Sequence, residues 1–147
     1  MIPHGSFLLD TNILIQLARD NWIGRSIDSR FQLRGRTESP LVCVVTVGEA
    51  FALARKLGWG SSKTSALENL IAQFSILDIN SEEVVSAYAE IDCFLEQSGK
   101  AVEQNDIWIA ATTVVAGAHL LTTDKDFDPL YPAYLDRTWI DPQRPSA

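Results

Sequence analysis

The stretch SFLLDTNILIQLAR, residues 6–19, decides the fold. Its first half is a short apolar run that ends at Asp10, which indicates a buried strand. Its second half, from Thr11 to Arg19, places apolar side chains at helical spacing, which indicates a helix. The opening of the chain therefore predicts a strand that passes directly into a helix.

The same alternation continues along the rest of the chain. Further strands are predicted at residues 41–45, 75–79 and 119–122, with an edge strand at 138–140. Helices are predicted at 47–57 with Thr46 as N-cap, from 61 or 62 to about 74, from 82 to 98 with Ser81 as N-cap, and from 104 or 105 to 116. This order predicts an α/β sandwich around a mainly parallel sheet.

The length of 147 residues fits one compact domain, which we expect to span residues 1–147 with an irregular tail from about residue 141. The longest apolar run, from Ile107 to Leu121, is interrupted by polar residues and is shorter than a bilayer requires. The N-terminus lacks the basic start and long apolar stretch of a secretory signal. We therefore expect a cytoplasmic protein.

The cysteines and histidines do not form a zinc site in this sequence. Cys43 and Cys93 both lie in apolar patterns, where we expect small core residues rather than a disulfide pair. His4 and His119 are far apart and have no ligand spacing. Any metal ion would therefore have to be held by oxygen.

The net charge of −7 argues against binding nucleic acid by bulk attraction. Divalent cations held by carboxylates would remove part of this excess where a phosphate approaches. Basic residues also gather in two places, each of which is either a solvated face or a surface for RNA or a partner. The first group is Arg25, Arg30, Arg34 and Arg36, and the second is Arg55, Lys56 and Lys63.

Four acidic residues stand where a structural role is hard to assign. Asp10 and Asp124 follow the first and fourth predicted strands, and an N-cap role for Asp10 is not required because Thr11 or Asn12 could serve. The other two lie in apolar helices: Glu49 is the only charge in VVTVGEAFA, and Asp106 opens DIWIAA. A carboxylate in such surroundings costs several kcal/mol to desolvate unless it is paired, coordinated or protonated.

The predicted sheet would bring these acids together beyond the carboxyl ends of its strands. That edge is where parallel sheets bind their ligands. Carboxylates so close resist joint ionisation, and a divalent cation resolves the conflict. Oxygen ligands without His or Cys favour Mg²⁺ or Mn²⁺, which suit phosphate substrates and water-driven phosphoryl transfer. Asp126 either completes a second metal site, directly or through water, or is a solvated turn residue.

Four segments resemble, in order and spacing, the motifs of PIN-domain nucleases, most closely the VapC-type toxins of toxin–antitoxin pairs. They are LLDTN at 8–12, VGE at 47–49, DIWIAA at 106–111 and LTTDKDF at 121–127. The resemblance implies a three-layer α/β/α sandwich and endonucleolytic cleavage of RNA that depends on Mg²⁺ or Mn²⁺. It also implies a homodimer and an antitoxin partner whose tail blocks the site.

The same resemblance assigns roles to individual residues. It implies metal ligation, directly or through water, by Asp10, Glu49, Asp106 and Asp124. Thr11 and Thr122 would hydrogen-bond within the site, with Asn12 as a further supporting residue.

Two other functions fit part of the pattern. An aspartate-dependent phosphatase also carries Asp after its first strand. Such an enzyme usually has a second Asp where this chain has Asn12, and it uses a later Lys that this chain does not place convincingly. A non-catalytic PIN-like binding module would be expected to have lost one of the four acids, and all are present. A nucleotide-binding Rossmann module is disfavoured because no Gly-rich turn follows any predicted strand.

Overall fold

The computed structural model describes residues 5–147, in which helices alternate with the strands of a five-stranded sheet. His4, one of the two histidines weighed as zinc ligands, lies outside the described residues. The strands are β1 (Phe7–Leu9), β2 (Leu41–Cys43), β3 (Ser75–Leu77), β4 (His119–Thr122) and β5 (Asp136–Trp139). The helices are α1 (Thr11–Arg19), α2 (Trp22–Phe31), α3 (Val44–Lys56), α4 (Ser61–Ala72), α5 (Glu82–Gln97) and α6 (Gln104–Ala116), and a 3₁₀ helix spans Lys125–Leu130.

The sheet has the strand order β3-β2-β1-β4-β5, and all neighbouring strands run parallel. The chain moves outward from β1 to β3, crosses back through α5 and α6, and resumes at β4 on the other side of β1. The direction of winding therefore reverses between β1 and β4, where Leu9 pairs with Leu121. In open parallel sheets, this reversal leaves a crevice beyond the carboxyl ends of the two strands.

The sheet is covered on both faces. Phe7 and Leu9 of β1 belong to a core with α1, α2, α3 and α4, whereas Leu8 belongs to a second core with α5 and α6. Since side chains alternate along a strand, these two cores lie on opposite faces of the sheet. The predicted three-layer α/β/α sandwich with a mainly parallel sheet is confirmed.

Several predicted boundaries differ from the observed ones. The N-cap prediction for Thr46 is wrong, because β2 passes straight into α3 at Val44 and Thr46 lies buried inside the helix. Its hydroxyl has no hydrogen-bond partner among residues 5–147. Strand β3 ends at Leu77 rather than 79, because the Asp78 carboxylate accepts hydrogen bonds from the next two backbone N–H groups and turns the chain. Strand β5 begins at Asp136, two residues before the predicted edge strand.

Helix α2 was not among the predicted elements. Asn21 caps it, with its side-chain oxygen accepting a hydrogen bond of 2.9 Å from the Gly24 N–H. A Cβ atom at Gly24 would lie 2.2 Å from the Gln16 carbonyl oxygen of α1, so only glycine allows this close approach of the two helices. Ile27 and Phe31 are buried against the first core.

The cysteines have different environments. Both are free, and Cys43 is buried with its sulfur 3.4 Å from the Thr112 hydroxyl. The prediction of a core position is wrong for Cys93, which is exposed on the outer face of α5 while Ile91 and Leu95 point inward. Within residues 5–147, no helix is both long and apolar enough to cross a membrane.

Candidate functional site

A cleft of about 580 Å³ opens beyond the carboxyl ends of β1 and β4, at the reversal of the sheet. It is lined by six carboxylates from four parts of the chain: Asp10, Glu49, Glu103, Asp106, Asp124 and Asp126. Asp10 follows β1, Asp124 follows β4, Glu49 lies in α3 and Asp106 lies in the first turn of α6. Strands β1 and β4 place Asp10 and Asp124 at this edge, because both strands end there.

Asp10 is buried and is held by both of its carboxylate oxygens. Oδ1 accepts a hydrogen bond of 2.8 Å from the Thr11 N–H, and Oδ2 accepts one of 2.7 Å from the Thr122 hydroxyl. Asp10 is therefore itself the N-cap of α1, the role for which Thr11 and Asn12 had been considered. Asn12 is exposed and lines the cleft.

Glu49 connects three helices at the cleft. Its Oε1 accepts a hydrogen bond of 2.8 Å from the Thr11 hydroxyl at the start of α1. Its Oε2 accepts one of 3.2 Å from the Asn105 side-chain amide in α6. The carboxylate is thus oriented by neutral donors, and its negative charge is left in the cleft.

The electrostatics of the cleft are dominated by unneutralised negative charge. The pKa of Asp106 is raised to about 7, first by burial and then by the charges of Asp10, Glu49, Asp126 and Asp124, in that order. Burial also raises the pKa of Asp10 to about 6, against the opposing effect of its hydrogen bonds from Thr122 and Thr11. Within residues 5–147, none of the cleft acids forms an ion pair with Lys, Arg or His.

Asp124 and Asp126 stand on the turn after β4. The Asp124 N–H donates to the Thr122 hydroxyl at 2.9 Å, and Asp124 Oδ1 accepts a hydrogen bond of 3.0 Å from the Asp126 N–H. The indole N–H of Trp139 in β5 donates to the Thr123 carbonyl oxygen at 3.0 Å, which fixes the turn from the other side. The pKa of Asp126 is raised, first by burial and then by Asp124.

The donor set of the cleft fits a hard divalent cation. Within the described part of the chain, no three of these acids are arranged so that they could hold one metal ion together. Mg²⁺ and Mn²⁺ do not need such an arrangement, because they retain several waters and bind proteins through one or two carboxylates directly. The acids of this cleft raise the pKa of one another, and a bound divalent cation would supply positive charge that relieves their repulsion.

Three of the charged or polar side chains that line the cleft were not predicted as site residues: Lys56, Glu103 and Asn105. Lys56 lies seven residues after Glu49, or two helical turns, so both side chains share one face of α3. That spacing was a usable signal in the sequence. Asn105 lies beside Asp106, but its hydrogen bond to Glu49 joins residues 56 apart and could not be inferred from spacing.

The four arginines of the first basic group do not line the cleft. Arg25 pairs with Asp20, and Arg34 pairs with Asp28. The guanidinium groups of Arg30 and Arg36 lie over the rings of Phe31 and Phe7 and donate to backbone carbonyl oxygens. Contact of this group with RNA or a partner stays a prediction, and each arginine has a structural contact that accounts for its position.

A family model described as a PIN domain matches residues 7–131, so the chain belongs to the PIN domain family. Over 121 residues it is 29% identical to Ribonuclease VapC2 of Haemophilus influenzae, covering 80% of this chain and 86% of that protein.

Solved structures share the fold. VapBC2 from Rickettsia felis, bound to a DNA fragment from their promoter, superposes with a TM-score of 0.78 and 22% identity, covering 91% of this chain and 98% of that one. A toxin–antitoxin complex from Klebsiella pneumoniae superposes with a TM-score of 0.65 and 21% identity, covering 95% of this chain and 99% of that one.

Proposed function

We propose that this protein is a metal-dependent endoribonuclease that hydrolyses RNA phosphodiester bonds with Mg²⁺ or Mn²⁺. The observation that carries the proposal is the cleft of six carboxylates without an ion-pair partner among residues 5–147, at the reversal of a parallel sheet. The similarity to a protein named Ribonuclease VapC2 supports RNA as the substrate.

In this proposal Asp10, Glu49, Asp106 and Asp124 hold the cation, directly or through water, and Asp126 contributes to a second site. The bound ion would neutralise phosphate charge and activate water. Thr122 orients Asp10 and the turn that carries Asp124, and Thr11 orients Glu49. Such supporting hydrogen bonds fix the direction in which a carboxylate presents its lone pairs.

The reaction itself is an in-line hydrolysis. The water oxygen forms a bond to phosphorus, the bond from phosphorus to the leaving ribose oxygen breaks, and a proton ends on that oxygen.

We further propose that the protein acts in the cytoplasm as the toxin of a toxin–antitoxin pair. The Klebsiella pneumoniae relative is described as a toxin–antitoxin complex, and its shared fold is compatible with the same assembly here. By the same family resemblance, the antitoxin would place its tail over the cleft, and the toxin would be a homodimer.

The deciding experiment incubates the purified protein with total RNA in chelator, Mg²⁺ or Mn²⁺ and maps the new RNA ends. Wild type is expected to cut only with metal, and Asp10→Asn and Asp106→Asn are expected to lose cutting while remaining folded. Asp92→Asn, on the exposed side of α5, is the matched control and should cut like wild type. Cutting by wild type in chelator, or full activity in either cleft variant with fresh metal, would reject the proposal as written.

A further inference from the structure

A second cleft, of about 750 Å³, opens at the end of α3. Lys56 lines the first cleft, and the next residues along the chain, Leu57 and Gly58, line the second. The indole ring of Trp59 forms part of its wall, together with Arg19 from the end of α1 and Lys63 from the start of α4. We call the surface formed by Arg19, Lys56, Trp59 and Lys63 the Trp59 platform.

We propose that the Trp59 platform binds single-stranded RNA beside the cleavage site, with a base stacked on the Trp59 ring and phosphates near the surrounding cations. This inference rests on the proposed function, because it extends the path of the same RNA away from the carboxylates. Aromatic rings combined with unpaired cations are how proteins hold single strands without reading a sequence, since every base offers a flat face.

The cations of the platform are available to a ligand. Within residues 5–147, Arg19, Lys56 and Lys63 form no ion pair, in contrast to the paired Arg25 and Arg34. Arg19 and Lys63 are exposed and stand 6.0 Å and 5.9 Å from the centre of the Trp59 ring, at the outer limit of a cation–π contact. Both charges lie over the ring at the longest distance at which a cation–π contact acts, so these long side chains must swing aside for a base to stack.

The position of Lys63 is also unusual for a surface charge. It lies in the first turn of α4, where the helix dipole disfavours a cation. Arg19 and Lys56 lie in the last turns of α1 and α3, where the dipole alone could account for them. The dipole does not account for Lys63, whereas its contact with the Trp59 ring or attraction to a phosphate would.

Trp59 is held rigidly by the backbone. The α3 helix ends in a turn in which Gly58 takes a φ of +69° and the Trp59 N–H donates to the Ala54 carbonyl oxygen at 3.0 Å. The ring is half-buried and packs against the first core. A ring fixed in this way loses little conformational freedom when a base stacks on it.

The distance from the carboxylates suits a continuous single strand. Helix α1 runs from Thr11, which lines the carboxylate cleft, to Arg19, which lines the second cleft. At a rise of about 1.5 Å per residue, this part of the helix covers roughly 12 Å. A few nucleotides span this length, so one strand can occupy both clefts. Because the chain carries a net charge of −7, a local group of cations would favour an RNA ligand at this surface.

The test measures binding of a fluorescein-labelled single-stranded RNA of mixed sequence, about 16 nucleotides long, by anisotropy in chelator. Trp59→Ala is expected to weaken binding about 5-fold to 100-fold, and Trp59→Phe, which keeps a stacking ring, should retain most of it. The double variant R19Q/K63Q should lower the slope of log affinity against log salt by about 1.4, or about 0.7 for each lost phosphate contact. Trp22→Ala, at the exposed Trp of α2, is the matched control and should bind like wild type.

The outcomes separate this proposal from the ribonuclease proposal. If wild type cuts RNA but Trp59→Ala and R19Q/K63Q bind it with unchanged affinity and salt slope, the platform is rejected and the ribonuclease stands. If wild type binds RNA through Trp59 but does not cut it with metal, the platform stands and the ribonuclease is rejected. If the variants weaken binding of poly-glutamate but not of RNA, the surface belongs to an acidic protein partner and the RNA platform is rejected. Melting temperatures identify any variant that fails to fold. If Trp59→Ala does not fold, the comparison of R19Q/K63Q with wild type decides the test.

Discussion

Thr122 and Asp10, which are 112 residues apart in sequence, are joined by a buried hydrogen bond of 2.7 Å from the hydroxyl to Oδ2. The same hydroxyl oxygen accepts a hydrogen bond from the Asp124 N–H at 2.9 Å. One side chain at the end of β4 therefore positions the acid that follows β1 and the turn that carries the acid after β4. A substitution at Thr122 can therefore test how the two acids are positioned without removing either carboxylate.

Replacing Thr122 by Val keeps the shape of the side chain and removes the hydroxyl. We expect a loss of about 10-fold to 100-fold in metal affinity or cleavage rate, because a supporting hydrogen bond to a ligand is lost. The buried Asp10 oxygen and Asp124 N–H also lose a partner, so stability should fall by about 1–3 kcal/mol. Titration with Mn²⁺ by calorimetry, cleavage kinetics and thermal melts measure these effects.

Thr113→Val provides the matched control for this prediction. Thr113 is equally buried, but its hydroxyl donates only to the Ile109 carbonyl oxygen in its own helix. It should alter stability modestly and leave metal affinity unchanged. Equal metal affinity in wild type and Thr122→Val would show that Asp10 is positioned without Thr122.

The fold could be predicted from the sequence wherever local periodicity and burial agree. Strand β1 and helix α1 follow from an apolar run, Asp10 and a helical repeat, and their order with the later pairs implies a parallel sheet. Helix α2 could not be predicted in this way, because the need for glycine at position 24 arises from the Gln16 carbonyl oxygen of a neighbouring helix. Thr46 had the residue type of a cap, but the uninterrupted passage from β2 to α3 left it inside the helix.

The candidate site divides in the same way. The predicted topology implied that four acids would meet, namely Asp10, Glu49, Asp106 and Asp124. The structure brings them to one cleft. Their roles as metal ligands stay a prediction. The hydrogen bonds of Thr122 and Asn105 depend on long-range packing that spacing does not encode. The Trp59 platform likewise depends on the approach of α1 and α4 to the end of α3.

Substitution of Arg36 distinguishes a structural role for the first basic group from a role in binding. Its guanidinium lies 4.4 Å from the centre of the Phe7 ring and donates to the Gly5 and Phe31 carbonyl oxygens. Arg36→Gln should therefore lower the free energy of unfolding by about 1–2 kcal/mol, as measured by urea denaturation.

Arg25→Gln, which removes an exposed pair with Asp20, is the control and should change stability by less than about 1 kcal/mol. The alternative is that the group contacts RNA or an acidic partner. The triple neutralisation of Arg30, Arg34 and Arg36 would then weaken binding and flatten its salt dependence. An unchanged salt slope in that variant would leave only the structural role.

Metal binding should be visible in the stability of the protein without any RNA. At about ten to a hundred times its dissociation constant, Mn²⁺ is expected to stabilise wild type by roughly 1.4–2.7 kcal/mol, through preferential binding to the folded state. Thermal melts with and without Mn²⁺ measure the gain, which is on the order of several degrees for a domain of this size. Asp106→Asn should show much less of it, whereas Asp92→Asn should show all of it. A full metal shift in Asp106→Asn would remove Asp106 from the metal site.

The stability of the metal-free protein should also depend on pH, in a direction set by the burial of Asp10 and Asp106 and by the charges of the neighbouring carboxylates. The pKa values of Asp10 and Asp106 are raised from 3.8 to about 6 and about 7 in the folded state. The folded protein therefore holds protons that the unfolded chain releases, so their contribution to stability is fully present below about pH 4 and is lost as the pH rises through 6 and 7.

In chelator, wild type should be more stable at pH 5 than at pH 8, and Asp106→Asn, which cannot ionise, should lose less stability over this range. Because Asp106 is only half-buried, solvent screening reduces the expected difference between the two proteins to about 1–2 kcal/mol. Denaturant titrations at both pH values measure this difference, and saturating Mn²⁺ should remove the wild-type loss at pH 8. If wild type and Asp106→Asn respond identically to pH in chelator, the mutual repulsion of the cleft acids does not act through Asp106.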